Sequence, residues 1–371
     1  MSLIERREKL YEWMKNEDIR LLMFEDSEHR RDNAVRWMSG QPSDALLFLS
    51  ADKKSLLVAW DTNMAACYAQ VDHVLPYTEF MLNPVNALRA AVSFFKLPNG
   101  SKIEIPACTS YTDFLKYVEA LSDFDVICRS DGACAEVTRL RSVKDEEEIR
   151  IYRELSSITN EIINLIEKNV VKNVLKTESD VALFIEGECR KLGCEGTGFT
   201  TLAAGSARSF GIHAFPAYTS GIFADKGLSI LDFGVVYKGY TSDVTMTFAR
   251  GTLKKEQEKR LDLISEAFDL ALSKVKNGAS CKNIAAAVDT FFKKSKLSMP
   301  HGLGHGIGLQ AHEAPYLRNR NENMDTLLPG MVFTIEPGLY DPLLGGCRYE
   351  NDVLLTESGA EVLTKSKIVR L

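Results

Sequence analysis

Histidine is scarce in this chain, with six in 371 residues. Cys-x-x-Cys is missing altogether. The eight cysteines are scattered, and the nearest pair, Cys189 and Cys194, has four residues between its members. This usage fits reduced, mostly buried thiols in a cytosolic protein. No uncharged run reaches the length of a membrane span. The N-terminal stretch MSLIERREKLYEWMKNEDIR lacks the apolar centre of a secretory signal, so a cytoplasmic protein without membrane attachment is expected. An excess of positive charge is also lacking. The net charge is −6, which gives no electrostatic reason to expect nucleic acid as a partner. There is no low-complexity tract.

What is there is ordinary in bulk. Hydrophobic residues make up 45% and charged residues 26% of the chain, as in globular proteins that bury a large core. The first 130 or so residues alternate helical and strand patterns. Ser2 and Glu5 resemble a capping box before a helix through Met14. IRLLMF reads as a strand, and ALLFLS and SLLVAW flank ADKK as a hairpin. Helices near Asp61–Ala69, Val85–Phe95 and Thr112–Leu121 and the strands KIEIP and FDVICR complete a small α/β domain, residues 1–133.

From Cys134 onward the sequence changes to charged and helical. A helix near Asp145–Ile166 carries Ile149, Tyr152, Leu155, Ile158, Ile162 and Leu165 on one stripe. A second helix starts at Thr177 and ends before Gly193, and strand-rich sequence follows. The succession recurs with helices over about Lys254–Lys276 and Ser280–Lys294 and more strands. Two helices followed by strands, twice over, suggest an internally duplicated α+β domain over residues 134–371.

Half of the histidines sit in one segment, HGLGHGIGLQAHE, which contains His301, His305 and His312. On a helix, His-x-x-x-His would put two rings on one face. Glycine at every second position argues against that, since each costs about 1 kcal/mol in a helix interior. An extended segment passing close to other groups is the better reading. A second cluster is SILDFGVVYKGYTSDVTMTF. It reads as two strands, Ile230–Val236 and Ser242–Phe248, joined by a turn at Gly239, each carrying an aspartate. Aspartate is depleted in strand interiors, yet the hairpin would set Asp232 and Asp243 side by side. MVFTIEPGLY ends an apolar strand with Glu336, and GGCRYENDVLLT carries Glu350 within another. Unpaired buried carboxylates are costly and call for a cation. Four carboxylates and one imidazole suit Mn²⁺ or Co²⁺, with Zn²⁺ also accommodated.

These segments resemble the signatures of the pita-bread metallopeptidase family, which spans methionine aminopeptidases, Xaa-Pro aminopeptidases, prolidases and the metal-free creatinases. The motif-bearing likeness runs from about residue 140 to the C-terminus. The first domain is similar to the creatinase-type N-terminal domain in length and pattern, which leans away from the shorter methionine aminopeptidases. The resemblance implies a pita-bread fold and five ligands to two divalent ions, Asp232, Asp243, His305, Glu336 and Glu350, with Asp243 and Glu350 bridging. The ions would be Mn²⁺ or Co²⁺, or else Zn²⁺ or Fe²⁺. It further implies that His312 stabilises the tetrahedral intermediate and that Glu336 shuttles a proton. By the same likeness, His213 and His301 line the pocket and Arg348 positions the substrate. The substrate would be a peptide cut at its N-terminal Xaa-Pro bond, and the protein a homodimer. Dipeptide and longer-peptide preference stay open. Met246 stands where relatives often carry arginine, and Tyr349 and Asn351 replace frequent Ile and Asp. The alternatives are a creatinase-like amidinohydrolase, a metallohydrolase with another substrate, and a non-catalytic pita-bread binding protein.

Overall fold

A computed structural model describes residues 2–371. The chain divides into two units, Met1–Leu140 and Arg141–Leu371. This divide falls within the helix Ala133–Ser142, whereas the sequence pattern places a boundary at 133/134, where that helix begins.

In the first unit, α1 (Leu3–Asn16) starts at the Ser2–Glu5 capping box read from the sequence, with both reciprocal bonds present. Strand β1 (Leu21–Asp26) follows, then the short helix α2 (Asn33–Ser39). Strands β2 (Ala45–Ser50) and β3 (Lys54–Ala59) form the anticipated antiparallel hairpin. Helix α3 (Thr62–Tyr68) leads to β4 (His73–Pro76), and α4 (Pro84–Phe94) to β5 (Lys102–Glu104). Helix α5 (Tyr111–Ala120) and β6 (Asp125–Ile127) complete the unit. The six strands make one mixed sheet in the order β4-β3-β2-β1-β5-β6. Leu46, Phe48, Leu56 and Val58 from the hairpin pack on Leu88 and Ala91 of α4 in its core.

After α6 (Ala133–Ser142), the long helix α7 (Glu146–Val171) opens the second unit. It outruns the sequence reading because its apolar stripe continues through the buried Ile166 and Val170. Thr177 caps α8 (Glu178–Lys191). Strands β7 (Gly196–Thr197), β8 (Leu202–Ala204), β9 (Gly227–Phe233), β10 (Val235–Tyr237), β11 (Tyr240–Thr241) and β12 (Val244–Arg250) come next. The second half repeats the order: α9 (Lys255–Leu272), α10 (Cys281–Lys294), β13 (Gly304–Gly306), β14 (Glu313–Leu317), β15 (Val332–Ile335), β16 (Gly338–Asp341), β17 (Gly345–Arg348) and β18 (Asn351–Thr356). Strands β19 (Gly359–Val362) and β20 (Ile368–Arg370) end the chain.

The duplication is explicit in the pairing. In the first half β8, β9 and β12 lie side by side, antiparallel, and the β10–β11 hairpin projects between the last two. In the second half β13, β15 and β18 do the same, with β16–β17 as the projecting hairpin. This is the pita-bread arrangement. The strand period of two assigns the faces. Leu231 and Phe233 on β9 and Val244, Met246 and Phe248 on β12 join the core built with α7 and α8. The other face of the same strands carries Asp232, Thr245 and Thr247. Met246, where relatives often place arginine, is therefore a core residue. No helix of the described residues is long and apolar enough to cross a membrane.

Next to the histidine strand lies a buried ion cluster. Arg141 Nη2 donates to Glu313 Oε2 at 2.6 Å and Lys144 Nζ to Oε1 at 3.1 Å. All three residues are at most 5% exposed. Removing one member of such a cluster strands the others' charge. Glu313→Ala is expected to destabilise the protein by about 3–5 kcal/mol, measured by urea denaturation.

Candidate metal centre

The groups singled out in the sequence converge at the strand ends of the two halves. Asp232 lies near the end of β9 and Glu336 directly follows β15. Asp243 and Glu350 directly precede β12 and β18. The two halves thus contribute equivalent pairs. Two details differ from the sequence reading. Asp243 and Glu350 sit in strand breaks and not inside strands. The backbone N–H of Asp243 donates to the Asp352 carboxylate, at 3.2 Å to Oδ1, instead of to a neighbouring strand. Glu350 N–H makes a single bridge to Thr245 O at 3.3 Å.

His305 enters on β13, the extended glycine-rich segment. A Cβ on Gly304 would lie 2.0 Å from Thr334 O, and one on Gly306 2.1 Å from Ala314 O. Only glycine permits the strand to run between those backbones. His305 Nε2 then stands 3.7 Å from both Asp243 Oδ2 and Glu336 Oε1. Its Nδ1 lies 3.1 Å from Gly306 O, which favours the proton there and leaves the Nε2 lone pair available to a cation.

Donor atoms fall into three groups, each within 4.8 Å: Asp232, Asp243 and Glu350; His305, Glu336 and Glu350; Asp243, His305 and His312. Glu350 and Asp243 each belong to two of them. All of these residues line one cavity of about 330 Å³, together with His213, His301 and Arg348. The histidines differ in freedom. His213 and His312 are exposed side chains, and the His312 ring lies 4.1 Å from that of His305. His301 Nδ1 contacts Gly302 O at 2.7 Å and its Nε2 contacts Tyr340 Oη at 3.0 Å.

Arg348 is 2% exposed. Its Nη2 donates to Asp232 Oδ2 at 2.5 Å, Nε to Thr245 Oγ1 at 2.9 Å, and Nη1 to Tyr340 Oη at 2.8 Å. Thr245 Oγ1 in turn donates to Glu350 Oε2 at 2.6 Å. The guanidinium therefore orients two of the carboxylates. Thr245, Tyr340 and Asp352 belong to the site, and the sequence reading did not single them out. Alternation along β12 was the available signal for Thr245, since it shares a face with Asp243.

The electrostatics are those of crowded like charges. Burial, and then the Glu350 and Asp232 charges, hold the Asp243 carboxyl well above its usual range. Burial and the Glu350 charge do the same to Glu336. Glu350 is pushed up to about 7 by burial and by Asp232. Burial pulls His305 down to about 3 and His301 down to about 4. Both imidazoles are therefore neutral at pH 7, the form that binds metal.

The residues fit divalent ions on an observation independent of any motif. Asp232 Oδ1 is buried and has no hydrogen-bond partner. A buried carboxylate oxygen without a donor, on a residue that lines an acid-rich cavity, fits a cation's ligand atom. The raised carboxyl values carry a sign. In metal-free folded protein these groups hold protons that the unfolded chain releases above about pH 4.5. Stability of the metal-free form must therefore fall as pH rises from that value through about 7, where Glu350 titrates. In the presence of EDTA, the thermal midpoint should drop by several degrees between pH 5.5 and pH 8. Mn²⁺ should restore it most at pH 8. Glu350→Gln should abolish that rescue, as read by differential scanning calorimetry.

The profile of metallopeptidase family M24 matches residues 151–357. An uncharacterized peptidase of Methanocaldococcus jannaschii is 36% identical over 261 residues, covering 69% of this chain and 70% of that protein. The Xaa-Pro dipeptidase of Pyrococcus furiosus is 33% identical over 235 residues, covering 62% of this chain and 64% of that protein. Among solved structures, the X-Pro aminopeptidase of Thermotoga maritima superposes with a TM-score of 0.82 at 27% identity, covering 98% of this chain and 99% of that one. The family match contains all five of the convergent donor residues, and the superposition extends the likeness over both units. The chain belongs to metallopeptidase family M24.

Proposed function

We propose that this peptidase is an exopeptidase that hydrolyses the N-terminal Xaa-Pro bond of peptides with two divalent ions, Mn²⁺ or Co²⁺. Asp232, Asp243, His305, Glu336 and Glu350 would hold the ions. The observation that carries this reading is the convergence of these five donors on one cavity, with Asp232 Oδ1 unpaired. Relatives named Xaa-Pro dipeptidase and X-Pro aminopeptidase support the choice of bond.

When bound, the ions supply a water-derived nucleophile at neutral pH and positive charge opposite the developing oxyanion. The side chains do the rest. Glu336 takes a proton and passes it to the leaving nitrogen. His312, exposed beside His305, donates to the oxyanion. His213 bounds the substrate space from the loop between β8 and β9. Arg348 and Tyr340 act through other groups. Arg348 fixes Asp232, and Tyr340 holds the His301 ring. Proline lacks an N–H, so a peptidase that grips its substrate through that donor cannot use this bond. A site that recognises the ring by shape can.

Two measurements test the proposal. Metal-reconstituted protein should release alanine from Ala-Pro peptides with kcat/KM roughly tenfold or more above that for the matching Ala-Ala peptides. Absence of turnover on every Xaa-Pro peptide, with metal content verified, would overturn it. His312→Ala should lower kcat by about 10²–10³ with little change in KM, the signature of a group that acts in the transition state.

A further inference from the structure

The first unit has a cavity of its own, with no part in the metal centre. It measures about 180 Å³, and all of its lining lies within residues 1–140. Strand β1 runs parallel to β5, and β5 to β6. In α/β sheets ligands bind outside the carboxyl ends of parallel strands, where the next helices begin. The lining residues come from that region. Glu25 stands near the end of β1 and Arg30 just beyond it. Asn83 caps α4, and Asp113, Lys116 and Tyr117 lie in the first two turns of α5.

The charges come in balanced pairs. Arg30 Nη1 donates to Glu25 Oε2 at 2.9 Å, and Lys116 Nζ to Asp113 Oδ1 at 2.8 Å. The other two nitrogens of the Arg30 guanidinium make no hydrogen bond among the described residues. Tyr117 is 2% exposed, and its hydroxyl has no hydrogen-bond partner among them either. Buried polar groups are as a rule hydrogen-bonded, so an unpartnered hydroxyl on a residue lining a cavity marks a place for an acceptor. Burial, and then the Glu25 charge, push this hydroxyl far above its usual range, so it keeps its proton and can donate.

A ligand for this space has to be small. The volume equals the liquid share of roughly six waters and falls below the range of drug-sized ligands. The ligand also has to carry both signs of charge. An anion alone would face Glu25 and Asp113, and a cation alone would face Arg30 and Lys116. A zwitterion meets both. A carboxylate accepts from a guanidinium edge and a phenol, and an ammonium donates to a carboxylate.

We propose that this cavity binds a small free α-amino acid, of about the size of alanine, with its carboxylate on Arg30 and Tyr117 and its ammonium on Glu25. Free amino acids are what an exopeptidase releases, but the site uses no group of the metal centre and stands apart from the peptidase reading.

A metal centre can also hold an amino acid, so calorimetric titration with L-alanine is run on two full-length proteins, the metal-loaded enzyme and the Glu350→Gln variant. Both should show saturable binding with a Kd of about 1 mM or tighter. Propionate lacks the ammonium and alaninamide lacks the carboxylate. Each should bind roughly tenfold more weakly than L-alanine, the scale of one charge-assisted hydrogen bond. Tyr117→Phe removes a single oxygen that no other group uses, so the thermal midpoint should hold. In either protein it should weaken L-alanine binding roughly tenfold. No saturation, binding confined to the metal-loaded enzyme, or binding that Tyr117→Phe leaves unchanged overturns the site. Propionate or alaninamide binding as tightly as L-alanine overturns the amino-acid assignment.

Discussion

Four carboxylates held within one small, largely buried space are the constraint around which this molecule is built. Left to themselves they would repel, and burial raises the carboxyl values of Asp243, Glu336 and Glu350 accordingly. Two remedies exist, protons or cations. The guanidinium of Arg348, buried beside them, pairs with Asp232. In the metal-free protein protons meet the remaining charge, and the same donor set, with the neutral His305 among the oxygens, suits divalent ions.

The duplicated fold supplies this concentration of charge economically. One antiparallel three-strand unit places an acid near the end of its central strand and another just before the next strand. A second copy adds an equivalent pair. Each unit buries its apolar face on its own helix pair, one with α7 and α8 and the other with α9 and α10. The helices thus hold the site's strands in place from their apolar faces. The projecting hairpins matter as much. They break the ladders at Asp243 and Glu350, and the breaks turn backbone N–H groups and side chains toward one point. Thr245, between Arg348 and Glu350, ties the two halves together through hydrogen bonds.

Much of this was legible from residue order alone. The Ser2 capping box is a local interaction, and α7 and α8 begin beside Asp145 and Thr177, where the sequence pattern starts them. Glycine alternation around His305 excluded a helix because the penalty is local too. The five donor residues stood out because acids are rare in apolar strands. Short elements such as α2, whose seven residues carry little periodicity, were not legible. Nor were Tyr340 and Asp352, since a tyrosine or a second acid beside a motif carries no mark of its own. Their roles arise from contacts with Arg348, His301 and Asp243.

Residue order by itself determined which side chains carry the chemistry, where the helices start, and that two similar halves succeed one another. Those properties depend on neighbours within a few positions along the chain. Tertiary structure alone decided that Asp243 and Glu350 leave their strands and that Arg348 faces Asp232. Each of these depends on which backbone approaches which across more than a hundred residues of intervening chain. The burial that sets the charges and the acceptors that orient them exist only once the halves have closed on each other.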